Sequence, residues 1–297
     1  MQRRIFKIIK GRYAIDGAGV KLYRVFGSQY TAPLTDPFLL LDFFGSNKIE
    51  DYIAGFPWHP HRGIETITYL INGKVEHEDS EGNKGVLYPN DIQWMTAGSG
   101  IFHQEMPKPL EYKDQLDKKF SLTEVKGFQL WINLPSHLKM SMPLYRNIKG
   151  NRSPTVEIDK GKVKVVSGIY NGVQGPVNAN NYVDPSYFDV KLEEEGEFEY
   201  KTKRGYNVLA LVLEGNGIFE PNGNIIKPGE LAIFSDGDFL KVYSENGIRF
   251  ILLSGRPLKE QIAWYGPIVM NTWDQINEAL LDLRNGNFIK NKAQEID

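Results

Sequence analysis

The sequence predicts an all-β protein made of two similar β domains, finished by one helix. Three observations carry this. Most of the chain reads as short alternating or apolar runs closed by Gly, Asn, Asp or Pro. An early segment is echoed by a later one. Helical periodicity is strong in one place only, near the end.

The first set of runs is "VKLYRVFG", "ETITYLI", "KVEHED", "KGVLY" and "DIQWMTA". The second is "KVKVVSGIY", "YFDVKLE", "YNVLALVLE", "GELAIFS" and "IRFILLSG". Many short strands with Gly-rich turns indicate a sandwich or barrel. The segments "YLINGKVEHEDSEGNKGVLYPNDIQWMTAG" and "LVLEGNGIFEPNGNIIKPGELAIFSDGD" align as strand, Gly turn, strand, hairpin tip, strand, "PND" or "PGE", strand. The repeat unit is a whole domain rather than a solenoid turn. Between the copies, "NLPSHLKMSMPLYRNIKGNRSP" has little periodicity and is the linker candidate, so the domains are expected at 1–135 and 136–297. In "NTWDQINEALLDLRNGNF", Ile276, Leu280 and Leu283 fall at helical spacing. Asn271 or Thr272 is placed to cap the start, and Gly286 to end the helix.

Composition narrows the chemistry. The chain has 297 residues, 41% hydrophobic, enough to bury a core. A net charge of −2 argues against a nucleic-acid partner held by phosphate contacts. No segment has the apolar length of a membrane span or the apolar core of a signal peptide, so a cytoplasmic protein is expected. There are no cysteines, which excludes disulfides, thiolate metal sites and cysteine nucleophiles. A metal here would need imidazole and carboxylate.

Three of the five histidines fall in two motifs. In "FPWHPHRGIETITYLING", His59 and His61 are two apart and share one face of a strand. Pro60 between them is tolerated at an edge or a strand start. In "TAGSGIFHQEMP", His103 and Glu105 again share a face, with Gly98 and Gly100 turning the backbone before them. Together they offer three imidazoles and a carboxylate, a set suited to Fe(II), Mn, Ni, Cu or Zn. Glu65 joins the same face if its strand stays regular. His77, in "EHEDSEG", and His137, in the linker, read as structural or surface residues. Phe43, Phe44, Phe56 and Trp58 are core or the walls of an aromatic pocket. Arg62 is expected to pair with a surface acid or guard a cavity mouth. Trp94 and Met95 are expected in the core.

The stretch from "FPWHPHRGIETITYLING" to "GIFHQEMP", with "DPFLLLDFFG" and "GRPLKEQIAWYGPIVMNT", resembles the pirin family of the cupin superfamily. The resemblance runs over nearly the whole chain. It implies two cupin-type (double-stranded β-helix, jelly-roll) barrels in one chain and a short C-terminal helix. It implies one metal, usually iron, held in the N-terminal barrel by His59, His61, His103 and Glu105, with Co among the further alternatives. Glu65 then ranks as a residue that orients a ligand. Asp42 and Phe44 are expected near the metal cavity. In the second copy, Lys201, Lys203, Val242 and Ser244 stand where those ligands would be, so that barrel is expected without metal.

Two functions follow from the resemblance. One is a quercetinase, a dioxygenase that opens a flavonol ring with dioxygen and releases carbon monoxide, with Glu105 doubling as general base. The other is a regulatory protein that binds a transcription factor or metabolic enzyme through a redox-sensitive iron site. Two barrels in one chain mimic the pairing that single-barrel cupins reach by dimerising, so a monomer is expected.

Overall fold

A computed structural model describes all residues except 114–118, 178–181, 222 and 297. Residue 222 belongs to the expected hairpin tip of the second copy, so that tip lies partly outside the described residues. The chain forms two compact units, each drawn from three segments.

One unit comprises residues 1–12, 30–38 and 152–259. Its sheet runs in the order Ile5–Lys10, Glu230–Phe234, Asn207–Gly215, Phe239–Gly255, Ser186–Lys201, Gly161–Ser167, Thr155–Ile158. The N-terminal strand belongs here because it pairs antiparallel with Glu230–Phe234. Buried Arg3 fastens it, donating to Thr202 Oγ1 and to the carbonyls of Ser235 and Lys203 at 2.7–2.8 Å. Inward positions are filled by large apolar side chains, among them Phe188, Phe198, Phe219 and Phe250. Each such buried ring contributes roughly 1.5–3 kcal/mol relative to exposure. Val242 lies inside this cluster, while Lys201 and Lys203 are exposed and Ser244 Oγ donates to the Asn216 carbonyl at 2.6 Å.

The other unit comprises residues 13–29, 39–151 and 260–297. One sheet is ordered Arg12–Asp16, Val20–Gly27, Phe38–Ser46, Val125–Asn133, Ile64–Asn72, Ile92–Thr96, Leu144–Ile148, Gln294–Glu295. The other is Phe56–His61, Ile101–Lys108, Lys74–Asp79, Lys84–Leu87. Part of the expected linker is therefore sheet: Leu144–Ile148 pairs antiparallel with Ile92–Thr96. Its polar residues hid a strand that needs only alternate apolar positions. Trp94 and Met95 are fully buried, as expected.

The helix spans Trp273–Arg284. Thr272 caps it by a capping box with Gln275, and Gly286 follows at φ +72°. Ile276 is buried and Leu280 and Leu283 are partly buried against Ala263, Ile268, Met270 and Phe288. Among the described residues, no helix is long and apolar enough to cross a membrane.

Candidate metal centre

Strand Phe56–His61 is the edge of its sheet, which accommodates Pro60. Its neighbour Ile101–Lys108 alternates strictly, with Ile101, His103, Glu105 and Pro107 buried. The register sets His103 directly opposite His59, and His61 opposite Ile101. Cross-strand and same-strand neighbours thus bring the three imidazoles together. Their ring centroids lie 4.4–4.9 Å apart, and their ligand nitrogens fall within 4.8 Å of one another. The register shifts between His103 and Glu105, so Glu105 stands opposite Phe56 and, on its other side, His77.

Hydrogen bonds fix the tautomers. His59 Nδ1 donates to the Pro57 carbonyl at 2.8 Å, and His61 Nδ1 to the Pro267 carbonyl at 3.2 Å. The two Nε2 atoms then face each other as lone pairs 3.1 Å apart. Both ring nitrogens of buried His103 lack a hydrogen-bond partner. Burial holds the imidazoles of His61 and His103 well below their usual pKa, so both are neutral, the form that ligates metals. Lone pairs facing each other and an orphaned buried imidazole are the features a shared cation resolves. These residues fit a metal ion.

Glu105 is buried beside this cluster. Gln129 Nε2 donates to its Oε2 at 3.0 Å. Thr68 Oγ1 lies 2.6 Å from Glu105 Oε1 and 2.7 Å from Gln129 Oε1, its single proton serving one at a time. Burial raises the Glu105 carboxyl above its ordinary value, partly offset by Thr68 and Gln129. Both partners were absent from the sequence reading. Their signal was strand parity, because Thr68 and Gln129 are directly paired across neighbouring strands.

Glu65 is fully buried but does not share the imidazoles' face. Gly63, at φ +80°, turns the chain after His61, and a Cβ there would meet the Val269 carbonyl at 2.0 Å. The strand therefore does not run regularly from His61 to Glu65. Glu65 alternates with Thr66 and Thr68, so it points to the opposite sheet face. There it accepts from Thr96 Oγ1 at 2.7 Å and Trp94 Nε1 at 3.2 Å.

Of the two readings expected for His77, structural or surface, the burial fits the structural one, because Val75, His77 and Asp79 form the inward row of their strand. The Tyr145 hydroxyl bonds its ring, and Gln93 Nε2 donates to that hydroxyl at 2.8 Å. Burial lowers the His77 imidazole to about 4. His137 is exposed.

His59, His61 and Glu105 line a cavity of about 570 Å³. Phe44, Phe56, Trp58, Trp131 and Trp264 are among its walls, with Asp42 and Arg24. Phe43 points away and packs on Phe128 at 5.0 Å, since it is one residue out of phase. Trp131 meets the His61 ring edge-on at 5.1 Å. The loop and hairpin around Ala263–Met270 contribute Trp264, Gly266 and Pro267. Arg62 neither guards the mouth nor pairs at the surface. It is buried, donating to Asp282 Oδ2 at 2.9 Å and the Phe288 carbonyl at 2.7 Å, over the Phe288 ring.

Known proteins resemble this chain over nearly its whole length. Residues 19–132 match the pirin family model, and residues 187–289 match the pirin C-terminal cupin domain. A pirin-like protein of Caulobacter vibrioides is 40% identical over 288 residues, covering 96% of this chain and 99% of its own. Human pirin is 35% identical over 282 residues, covering 93% and 91%. The crystal structure of a quercetin 2,3-dioxygenase from Acinetobacter baumannii superposes with a TM-score of 0.85 at 31% identity, covering 97% of this chain and 99% of that one. The two barrels are thus cupin barrels, and the chain belongs to the pirin family.

Proposed function

We propose that this protein is a metal-dependent dioxygenase that opens the ring of a flavonol, a quercetin 2,3-dioxygenase activity. The observation that carries the reading is the convergence of three imidazoles, those of His61 and His103 buried, beside an aromatic-walled cavity. The likeness to the Acinetobacter baumannii quercetin 2,3-dioxygenase supports it.

In this reading His59, His61 and His103 hold the ion, Glu105 is the fourth ligand, and Fe(II) is the first choice of metal. When bound, the ion supplies Lewis acidity toward the flavonol 3-hydroxyl and activation toward dioxygen. The chain's own residues do the rest. Glu105 takes the 3-hydroxyl proton onto a carboxylate oxygen. Its raised proton affinity suits it to that task. Thr68 and Gln129 hold the carboxylate in place. Phe44, Phe56, Trp58 and Trp264 offer the flat apolar walls that a fused aromatic ring system fills, excluding water.

The test is to load the metal-free protein with Fe(II), Mn, Ni, Co or Cu. Flavonol absorbance is then followed with and without oxygen. Oxygen-dependent loss of the flavonol band with at least one metal is expected. Turnover no higher than that of His59→Ala with every metal rules the reading out.

A further inference from the structure

The cavity walls differ from end to end. Its lining residues follow one face of the large sheet, strand by strand. Thr68 pairs with Gln129, Asp42 with Arg24, and Phe44 with Leu22. The sheet order puts Arg24 three strands from Thr68 and Asp16 one strand further, and the turn after Asp16 meets the start of the edge strand at Gly55, whose carbonyl accepts from the Ala18 amide at 3.0 Å. At this remote end the Arg24 guanidinium donates through Nε and Nη2 to the two oxygens of Asp42, at 2.9 and 2.7 Å. Nη2 also reaches Asp16 Oδ2 at 2.6 Å. One cation thus faces two carboxylates, leaving a formal charge of −1. Asp42 is buried with both oxygens engaged. The Asp16 side chain is half exposed and lines the cavity, its Oδ1 accepting from the Gly17 amide at 2.7 Å.

A wall of this kind repels carboxylates and phosphates, because Arg24, the one Lys or Arg among the described lining residues, is already shared between two anions. It accepts hydrogen bonds, since each carboxylate oxygen carries two lone pairs. We propose that Asp16, oriented by Arg24, is a specificity-determining residue. It selects neutral aromatic substrates whose ring remote from the imidazoles carries vicinal hydroxyl groups. An O–H donating to a carboxylate forms a charge-assisted bond, about twice as strong as a neutral one. This inference rests on the flavonol reading and names the class of flavonol taken.

The experiment compares three flavonols that differ only on that ring: quercetin with two vicinal hydroxyls, kaempferol with one, and galangin with none. Binding is read by quenching of tryptophan fluorescence, since Trp58, Trp131 and Trp264 line the cavity. Metal loading is kept the same throughout. The expected order is quercetin, kaempferol, galangin, with quercetin bound about ten-fold tighter than galangin. In Asp16→Asn, which keeps the acceptor for the Gly17 amide, that ratio falls below about three-fold, and thermal denaturation confirms the fold. Equal affinities in the unaltered protein, or an unchanged ratio in Asp16→Asn, overturn the proposal. If the ring still opens in that case, the flavonol reading stands. Discrimination without ring opening supports the proposal and removes the dioxygenase reading. No binding of any flavonol overturns both.

Discussion

His59 Nε2 and His61 Nε2 face each other at 3.1 Å, each with its other ring nitrogen committed to a backbone carbonyl. Without a cation between them, two lone pairs oppose. A bound ion should therefore stabilise the folded chain. Free metal at about 1,000 times its Kd adds about 4 kcal/mol. We expect chelation to lower the melting temperature of the unaltered protein and to leave His103→Ala unmoved. A chelator-insensitive melting temperature in both would show that no ion is held.

Thr68 and Gln129 grip the two oxygens of Glu105. If Glu105 ligates, its partners tune metal affinity from outside the ligand set. Thr68→Val and Gln129→Leu should each weaken metal binding 10–100-fold, measured by competition with a chromophoric chelator. Thr68→Ser keeps the hydroxyl and should retain most of the affinity. Equal loss in Val and Ser variants would assign Thr68 to packing alone.

Lys139 is buried, and its ammonium donates to the Gly63 carbonyl at 2.9 Å, the Val269 carbonyl at 2.8 Å and Asn133 Oδ1 at 2.7 Å. It ties the turn after His61 to the hairpin that carries Pro267. Lys139→Met strands all three acceptors and should cost about 3 kcal/mol. Chemical denaturation checks this, and a loss below about 0.5 kcal/mol would contradict it.

His77 carries a pH signature. Its folded pKa, about 4, is below the ordinary 6.5 because burial penalises the cation. Between these values the unfolded chain binds the extra proton, so stability falls as pH drops from about 6.5 to 4 and levels off below. Above 6.5 the contribution is fully present. The span amounts to about 3 kcal/mol. In His77→Gln that part of the acid dependence should vanish, leaving a shallower slope in denaturation curves taken between pH 4 and 7.

The metal motif was legible in sequence because strand alternation alone puts residues two apart on one face. The burial of Ile101, His103, Glu105 and Pro107 is that rule at work. The same rule would have turned His77 inward with Val75, but the acidic residues around it resemble a solvated hairpin. Its partner Tyr145 lies in a stretch too polar to read as a strand. Glu65 misled because a glycine with positive φ resets the alternation. Pairings distant in sequence, such as Arg62 with Asp282 or Arg24 with Asp42, leave no local pattern at all. Neither does the hairpin Ala263–Met270, which brings Trp264 to a cavity whose histidines lie some 160–200 residues earlier in the chain.

In the proposed function His59, His61, His103 and Glu105 hold one ion, and the protein opens flavonols with oxygen. Elemental analysis of the purified protein, run beside a flavonol assay on the same sample, tests it most directly. Close to one transition metal per chain and oxygen-dependent loss of the flavonol band are expected, both abolished in His59→Ala. Metal bound equally by His59→Ala, or full occupancy without turnover for any metal, would contradict it.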